Sequence, residues 1–337
     1  MVNTFINDVD YQGENCLEMS AGGYIALFDY ELGGLMLRLY DEKNDIEILR
    51  FDENVPMARI KEAPVIWGWP LLYLPNRLDG GRLKTSDSEY SFPINEIDFN
   101  NYIHGFLHLR KYEIIKREVK SDCVIVSAQY VYGENDEMFK HFPVKFKAVI
   151  TYTLSEDGLE QDFEMTNLSD KALPVGVASH TAIKCPFSKD GDEADLRLKI
   201  CADKKVPFGD RFLNTGEISQ PDADDMRFIN GEVNPLTEII DNQMFLGCDD
   251  EFDSKPFYGV RISDVKTGKT ICYQTGKEYK FWLVWNEWAN KGYCCPEPMS
   301  WMVNAPNMTL SPEITGYTEI KNGESWCGYQ RIYTAID

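Results

Sequence analysis

Apolar and polar residues alternate with a period of two along much of the chain. In the stretch VKFKAVITYTL, every second residue from Val144 to Leu154 is apolar, and Lys or Thr fills all but one of the positions between. This period is the pattern of a half-buried β-strand. The stretches CVIVSAQYVY and LRLKI are also rich in β-branched, aromatic or alternating residues, which favour extended backbone. The pattern predicts a protein built mainly of strands.

Glycine-containing turns separate several of these strand-like runs. DVKTGKTICYQ and TEIKNGESWCGYQRIY each place such a turn between two runs, as a β-hairpin requires. Few windows carry a helical stripe, and no repeat or long Pro/Gly/Ser linker divides the chain. We therefore predict an all-β fold, a large antiparallel β-sandwich in which residues 1–337 form a single domain.

The charge balance is strongly acidic. Lys and Arg number 34 against 55 Asp and Glu, a net charge of -21. Such a surface repels polyanions, so nucleic acid and anionic membranes are not expected partners. The first residues, MVNTFINDVDYQGENC, lack the features of a secretory signal, and no apolar run approaches the about 18 residues of a membrane span. A soluble, cytoplasmic protein is the prediction, with its oligomeric state left open.

The four histidines are the candidates for imidazole chemistry. His104 and His108 are four residues apart, but Gly105 and the strand-like surroundings argue against a helix that would make them a metal site. We expect His108 to be structural, and we assign no role to His141. His180 follows a strand of small residues, where it could face a cleft or equally be a core histidine. No metal site is predicted.

Glu297 is the most informative carboxylate. The apolar strand Phe281–Trp285 leads through a short loop to this residue, which lies between Pro296 and Pro298. Apolar crowding raises the pKa of a carboxyl group and makes it a better base toward a weakly acidic hydroxyl. The alternative, on so acidic a chain, is an ordinary loop carboxylate.

Three further polar residues occupy positions suited to an oxygen-rich ligand. Asn76 and Arg77 precede a Gly-Gly turn and offer several hydrogen-bond donors, although an ordinary turn with a solvated arginine is the alternative. Asp241 lies in a mostly apolar strand, where a buried carboxylate needs protein donors or ligand hydroxyls. No phosphate loop, nucleophile elbow or zinc motif accompanies them.

Five segments taken in chain order resemble the aldose 1-epimerase (galactose mutarotase-like) family. They are NRLDGGRL, YIHGF, SHTAIKCPF, IDNQMFL and CCPEPMSWMVNAPN, and they span residues from about 70 to 310. The resemblance implies a β-supersandwich fold. It also implies a cofactor-free isomerase that interconverts the α and β anomers of a monosaccharide, an aldohexose.

The resemblance also implies roles for individual residues. Glu297 matches the general base of the family, His180 its general acid, and His104 a substrate-binding histidine near the ring oxygen. The remaining matched positions hold sugar hydroxyls: Asn76, Arg77 and Asp241.

Two alternatives remain because the chain departs from the family pattern after His180, where TAIKCPF replaces an aromatic pair and Asn. One is a hexose-6-phosphate 1-epimerase, for which Arg77, Arg82 and Lys184 could clamp a phosphate. The other is a non-catalytic carbohydrate-binding protein. That alternative predicts that His180 and Glu297 do not converge on one pocket.

Overall fold

Strands dominate the computed structural model, which describes residues 4–336. Numbered in chain order, the strands are β1 (Phe5–Tyr11), β2 (Glu14–Ala21), β3 (Tyr24–Asp29), β4 (Leu35–Asp41), β5 (Ile46–Glu47), β6 (Leu71–Leu72), β7 (Arg77–Asp79), β8 (Arg82–Lys84), β9 (Glu89–Ser91), β10 (Asn101–Ile103), β11 (Glu113–Val119), β12 (Cys123–Tyr132), β13 (Phe146–Ser155), β14 (Gly158–Asn167), β15 (Leu173–Pro174), β16 (Ala178–Ser179), β17 (Ile183–Lys184), β18 (Leu196–Ile200), β19 (Ala202–Lys205), β20 (Gln243–Gly247), β21 (Asp250–Phe252), β22 (Lys255–Phe257), β23 (Gly259–Asp264), β24 (Lys269–Thr275), β25 (Phe281–Trp285), β26 (Tyr293–Met299), β27 (Glu319–Ile320) and β28 (Ser325–Ile336).

Three sheets carry most of these strands. The first is a meander of β1 to β5. The second has eight strands in the order β11-β12-β13-β14-β28-β24-β23-β18. The third follows the order β19-β20-β25-β26-β16-β6, and β17 also pairs with β26. All of these strand pairs are antiparallel, which confirms the predicted all-β antiparallel fold.

The core between the sheets follows from the alternation of the sequence. Along β13, buried residues alternate with half-buried ones, as the two-residue period predicts. Aromatic rings link the three sheets edge to face: Phe28 of the first contacts Tyr152 of the second, and Tyr273 of the second contacts Trp282 of the third. Trp69 touches both tyrosines, so the sheets share one continuous apolar core.

Helices are short and lie between strands. The α-helices are α1 (Met57–Glu62), α2 (Ala223–Asn230) and α3 (Pro312–Thr315). Single turns of 3-10 helix occur at Pro64–Ile66, Ile97–Phe99, Leu107–Leu109, Glu193–Asp195, Asp210–Phe212 and Ala305–Asn307. Within residues 4–336, none of the helices has the length and apolar character needed to cross a membrane.

Candidate active site

A small cavity of about 180 Å³ lies beside the third sheet and collects residues from distant parts of the chain. Five of the six residues selected from the sequence line it, and Asp241 does not. The lining residues are Val65, Ile66, Asn76, Arg77, Ile103, His104, His180, Asn242, Trp285 and Glu297.

Two prolines in β26 determine where the cavity opens. Glu297 lies inside this strand, paired with Leu283 of β25, so the alternative of an ordinary loop carboxylate is wrong. On the other edge of β26, the amide of Ser300 donates to the carbonyl of Val177. Backbone groups alternate between the two edges of a strand, so positions 296 and 298 face the same neighbouring segment as Ser300. Pro296 and Pro298 are the two such positions without an N–H. The ladder is therefore interrupted opposite Glu297.

His180 occupies this interruption, between the end of β16 and the start of β17. Its amide donates to the carbonyl of Pro70 at 3.1 Å, so the segment bonds away from β26. Its imidazole Nε2 lies 3.2 Å from Oε1 of Glu297. The ring of Trp285 stands edge-on at 5.8 Å and that of His104 at 5.3 Å. The gap in the ladder thus brings an imidazole and a carboxyl group into direct contact.

Burial perturbs both members of this pair. It raises the pKa of Glu297 well above its ordinary value, and the nearby Arg77 offsets only part of that rise. It lowers the pKa of His180 to about 4. Because burial disfavours the charged form of each group, the pair holds one proton between them at neutral pH. A carboxyl and an imidazole that share one proton present one donor and one acceptor to a ligand.

His104 enters the cavity from the β7–β10 ribbon. Its amide donates to the carbonyl of Asn76 at 2.8 Å, and both residues have left-handed backbone, with φ of 67° and 49°. Such angles are rare outside glycine and are often found at functional sites. The next residue is Gly105, at which an added Cβ would lie 1.9 Å from the carbonyl oxygen of Tyr73. Only glycine fits this close approach, which explains the His-Gly pair in the sequence.

The charge of His104 is also set by burial. Burial first, and then the neighbouring His180, hold the pKa of His104 well below its usual value. The ring is therefore neutral at physiological pH. Among the described residues, the buried Nδ1 atoms of both histidines lack a hydrogen-bond partner. Each ring therefore keeps hydrogen-bonding capacity that no described protein group satisfies.

Arg77 is held in place by Glu96, a residue that the sequence did not single out. The Arg77 Nε lies 2.9 Å from both carboxylate oxygens of Glu96, and a terminal nitrogen lies 2.8 Å from one of them. The other terminal nitrogen donates to Asn76 Oδ1 at 3.2 Å and to Asn242 Oδ1 at 3.3 Å. The guanidinium is thus an oriented donor whose charge Glu96 balances.

Asn242 lines the cavity, and the neighbouring Asp241 supports it. The Asp241 carboxylate accepts a 2.7 Å hydrogen bond from Asn242 Nδ2. The sequence pattern therefore identified the right segment, and the residue that reaches the cavity is one position further along. The apolar wall of Val65 and Ile66 carried no signal in the sequence beyond hydrophobicity.

The remaining candidates lie elsewhere. His108 is buried in the turn Leu107–Leu109 and does not line the cavity. Arg82 is exposed to solvent, and Lys184 lines a different concavity. Of the three cations considered for a phosphate clamp, only Arg77 reaches the cavity.

Comparisons with known proteins agree on one family. The sequence model of that family, described as aldose 1-epimerase, matches residues 15–333. The solved structure of a galactose mutarotase-like protein from Clostridium acetobutylicum superposes with a TM-score of 0.96 at 31% identity, covering 99% of both chains. Galactose 1-epimerase from Lactobacillus acidophilus NCFM gives a TM-score of 0.70 at 14% identity over 99% of both chains, a likeness of fold alone.

A curated relative matches over a shorter segment. Protein LacX, in its plasmid-encoded form from Lactococcus lactis subsp. lactis, is 32% identical over 84 residues. This alignment covers 25% of the present chain and 26% of LacX, so it spans about a quarter of the relative.

Proposed function

Because this chain belongs to the aldose 1-epimerase family, we propose that it interconverts the α and β anomers of a free aldohexose with Glu297 and His180 as the acid–base pair. The observation that carries the proposal is the 3.2 Å contact between Nε2 of His180 and Oε1 of Glu297 inside a small cavity. A protein that only binds sugars does not require a buried proton donor and acceptor in contact, so this arrangement favours catalysis.

The proposed reaction opens and recloses the sugar ring. The carboxylate of Glu297 takes the proton of the O1 hydroxyl while the imidazolium of His180 gives a proton to the ring oxygen. The C1–O5 bond breaks with its electron pair passing to O5, and a C1 carbonyl forms. Rotation about C1–C2 presents the opposite carbonyl face, and closure runs the same transfers backwards. No net proton or electron is consumed, so positioning of the two groups suffices.

The proton shared by the pair explains how Glu297 becomes the ionised base and His180 the protonated acid. Before a sugar binds, burial favours protonated Glu297 and neutral His180. A sugar hydroxyl that donates to the carboxyl group stabilises its charged form, since a hydrogen bond to a charged form favours it. The proton then passes to His180 across their contact. The reactive state is reached without a proton from bulk water.

The other cavity residues orient the sugar in this proposal. Neutral His104 bonds near the ring oxygen, because its lowered pKa makes it a hydrogen-bonding partner and not a source of protons. Asn76, Arg77 and Asn242 bond the ring hydroxyls, and Asp241 positions Asn242.

The charge of the cavity favours an uncharged sugar over a phosphorylated one. Arg77 is the only Lys or Arg among the lining residues, and Glu96 already balances its charge. A phosphate dianion placed there would lack an uncommitted cation. The hexose-6-phosphate alternative therefore has less support than the free sugar.

Polarimetry of freshly dissolved α-D-glucose and α-D-galactose, together with NMR exchange on glucose 6-phosphate, tests the proposal. We expect the protein to speed the equilibration of a free sugar. If only the phosphorylated sugar responds, the substrate assignment is wrong. If no aldose responds although sugars still bind, the protein is a binding module and the acid–base assignment fails.

A further inference from the structure

A second and larger concavity, of about 640 Å³, lies outside the catalytic cavity and gathers four cationic side chains. These are Arg38, Arg50, Lys184 and Lys291, and we call the concavity they line the basic cleft. The protein as a whole carries a net charge of -21, so four cations in one concavity depart from the rest of its surface.

Three of these cations are uncommitted. Arg38 is paired with Glu47 at 2.9 Å. Within residues 4–336, Arg50, Lys184 and Lys291 have no carboxylate within 4.0 Å and form no salt bridge. Lys184 attracts Glu47 and Asp52 only over distances beyond a salt bridge, so the three cations remain available to an anion.

The carboxylates of the basic cleft do not cancel these charges. Besides Glu47, the lining contains Asp52 and Glu53, both exposed. Asp52 is engaged within its own turn, where its Oδ1 accepts from the amide and the side chain of Asn54 at 2.9 and 3.0 Å. Three free cations therefore face two solvated carboxylates, and the cations are in excess.

Arg50 is the most firmly placed of the cations. Its guanidinium carbon lies 4.0 Å from the ring centroid of Trp67 and 3.8 Å from that of Tyr293, so two aromatic rings enclose it. One terminal nitrogen donates to the carbonyl of Ile66 at 2.9 Å. The Arg50 side chain is therefore already ordered, so a ligand need not supply the free energy to order it. Its remaining N–H groups are free to bond an anion.

The fold brings the three free cations together from separate segments. The amide of Arg50 donates to Ala182 at 2.7 Å, which places it beside the segment that carries Lys184. Lys184 pairs with Tyr293 of β26, and Lys291 lies two residues before that tyrosine. Such convergence of a fixed arginine with flexible lysines suits a phosphate group, which accepts both forked and single donors.

We propose that the basic cleft is a second ligand site, which binds the phosphate group of a small phosphate ester. It is separate from the catalytic cavity, and the two share no lining residue. Ile66 lies between them, since it lines the catalytic cavity while its carbonyl holds Arg50. The proposal does not depend on the reaction assigned to the catalytic cavity.

Titration calorimetry with inorganic phosphate tests this site, at about 0.1 M ionic strength so that distant charges are screened. We expect saturable binding that becomes about tenfold weaker in Lys184→Gln/Lys291→Gln, because two charge-assisted contacts are lost. The matched control, Lys140→Gln/Lys321→Gln, removes the same charge at two exposed positions outside the basic cleft and should bind as the wild type does. The indole signal of Trp67 in a ¹⁵N spectrum should shift during the titration.

Three results would overturn the proposal. One is the absence of saturable phosphate binding to the wild type. Another is equal weakening in both lysine variants, which would show a bulk charge effect. The third is loss of binding in Arg77→Gln with binding retained in Lys184→Gln/Lys291→Gln, which would place the phosphate in the catalytic cavity. Circular dichroism of each variant guards against misfolding, and both substituted lysines of the basic cleft retain solvent exposure.

Discussion

His180 and His108 have similar environments by most measures, yet only one has a partner for proton transfer. Both are buried, and burial lowers the pKa of each to about 4. Both have a buried Nδ1 without a hydrogen-bond partner among the described residues. The difference is Glu297, which lies 3.2 Å from His180, whereas the groups that influence His108 are the cationic Arg110 and the imidazole of His180. Burial alone lowers the pKa of an imidazole, but proton transfer also requires a neighbouring group such as this carboxyl as its partner.

The backbone explains why the two rings differ. His180 follows β16, at the point where two prolines of the neighbouring β26 remove backbone donors and interrupt the ladder between the two strands. His108 lies in the single turn Leu107–Leu109. This turn packs so closely on Gly33 that a Cβ added to Gly33 would lie 2.3 Å from the carbonyl oxygen of His108. The first position opens onto a cavity, and the second fills a tightly packed corner.

Replacing His180 should produce the largest effect. We expect His180→Asn to lower kcat for mutarotation by about 10²–10⁴, because an amide cannot deliver a proton to the ring oxygen. Polarimetry measures the rate. His141→Asn is the matched control, since His141 does not line the cavity, and it should retain the wild-type rate. A His180→Asn protein that is folded and fully active would remove this histidine from the mechanism.

Lowering the pH should abolish activity by adding a second proton to the pair. Because burial lowers the pKa of His180 to about 4, the pair keeps a single proton at pH values above that point and gains another below it. The rate should fall about tenfold per pH unit below pH 4, since no base remains. Above the raised pKa of Glu297 the pair loses its proton, and the rate should fall again. A flat acid limb well below pH 4, in protein shown to be folded, argues against this pair.

Weakening the ion pair that holds Arg77 should have an intermediate effect, on sugar binding. In Glu96→Gln, the guanidinium keeps a hydrogen-bond acceptor but loses the charge that fixes it. We expect KM to rise about tenfold while kcat changes less than about threefold, because Glu96 positions Arg77 and takes no part in proton transfer. Glu89→Gln, an exposed change on β9, serves as the control. A fall in kcat alone would contradict a positioning role.

The smallest effect on catalysis is expected at His108. His108→Asn should leave the mutarotation rate within about twofold of the wild type and lower the free energy of unfolding by about 1–2 kcal/mol, through lost packing in the turn. Polarimetry and denaturant titration measure the two quantities. If the rate falls as far as in His180→Asn, the contrast between the two histidines is wrong.

Much of the fold could be predicted from short-range patterns. The alternation around β13 and the hairpin of DVKTGKTICYQ, where β23 pairs with β24, depend on neighbouring residues, so they were visible in the sequence and were confirmed. The hairpin predicted in TEIKNGESWCGYQRIY was wrong, because β27 pairs with β15 while β28 pairs with β14 and β24. The strand position of Glu297 was not visible in the sequence, because flanking prolines usually indicate a loop. In the structure they lie in a strand that lacks a ladder on one side.

The candidate site was less accessible from the sequence because its contacts join distant segments. Asp241 was selected as a carboxylate in an apolar strand, but which of two neighbouring side chains reaches a cavity depends on the local twist of the chain, and Asn242 does so. Glu96 was missed because its partner, Arg77, is adjacent only after β7 pairs with β10. The pairing of His180 with Glu297 likewise exists only once β16 and β26, which are far apart in the sequence, become neighbours in the third sheet.

The most direct test of the central claim is a double-mutant cycle on the acid–base pair. Mutarotation rates would be compared for the wild type, Glu297→Gln, His180→Asn and the double variant, each shown to be folded. If the pair acts as a unit, each single variant loses about 10²–10⁴ in rate and the double variant loses little more. If the two losses multiply, or if Glu297→Gln remains active, the two residues do not share one proton in catalysis and the account is wrong.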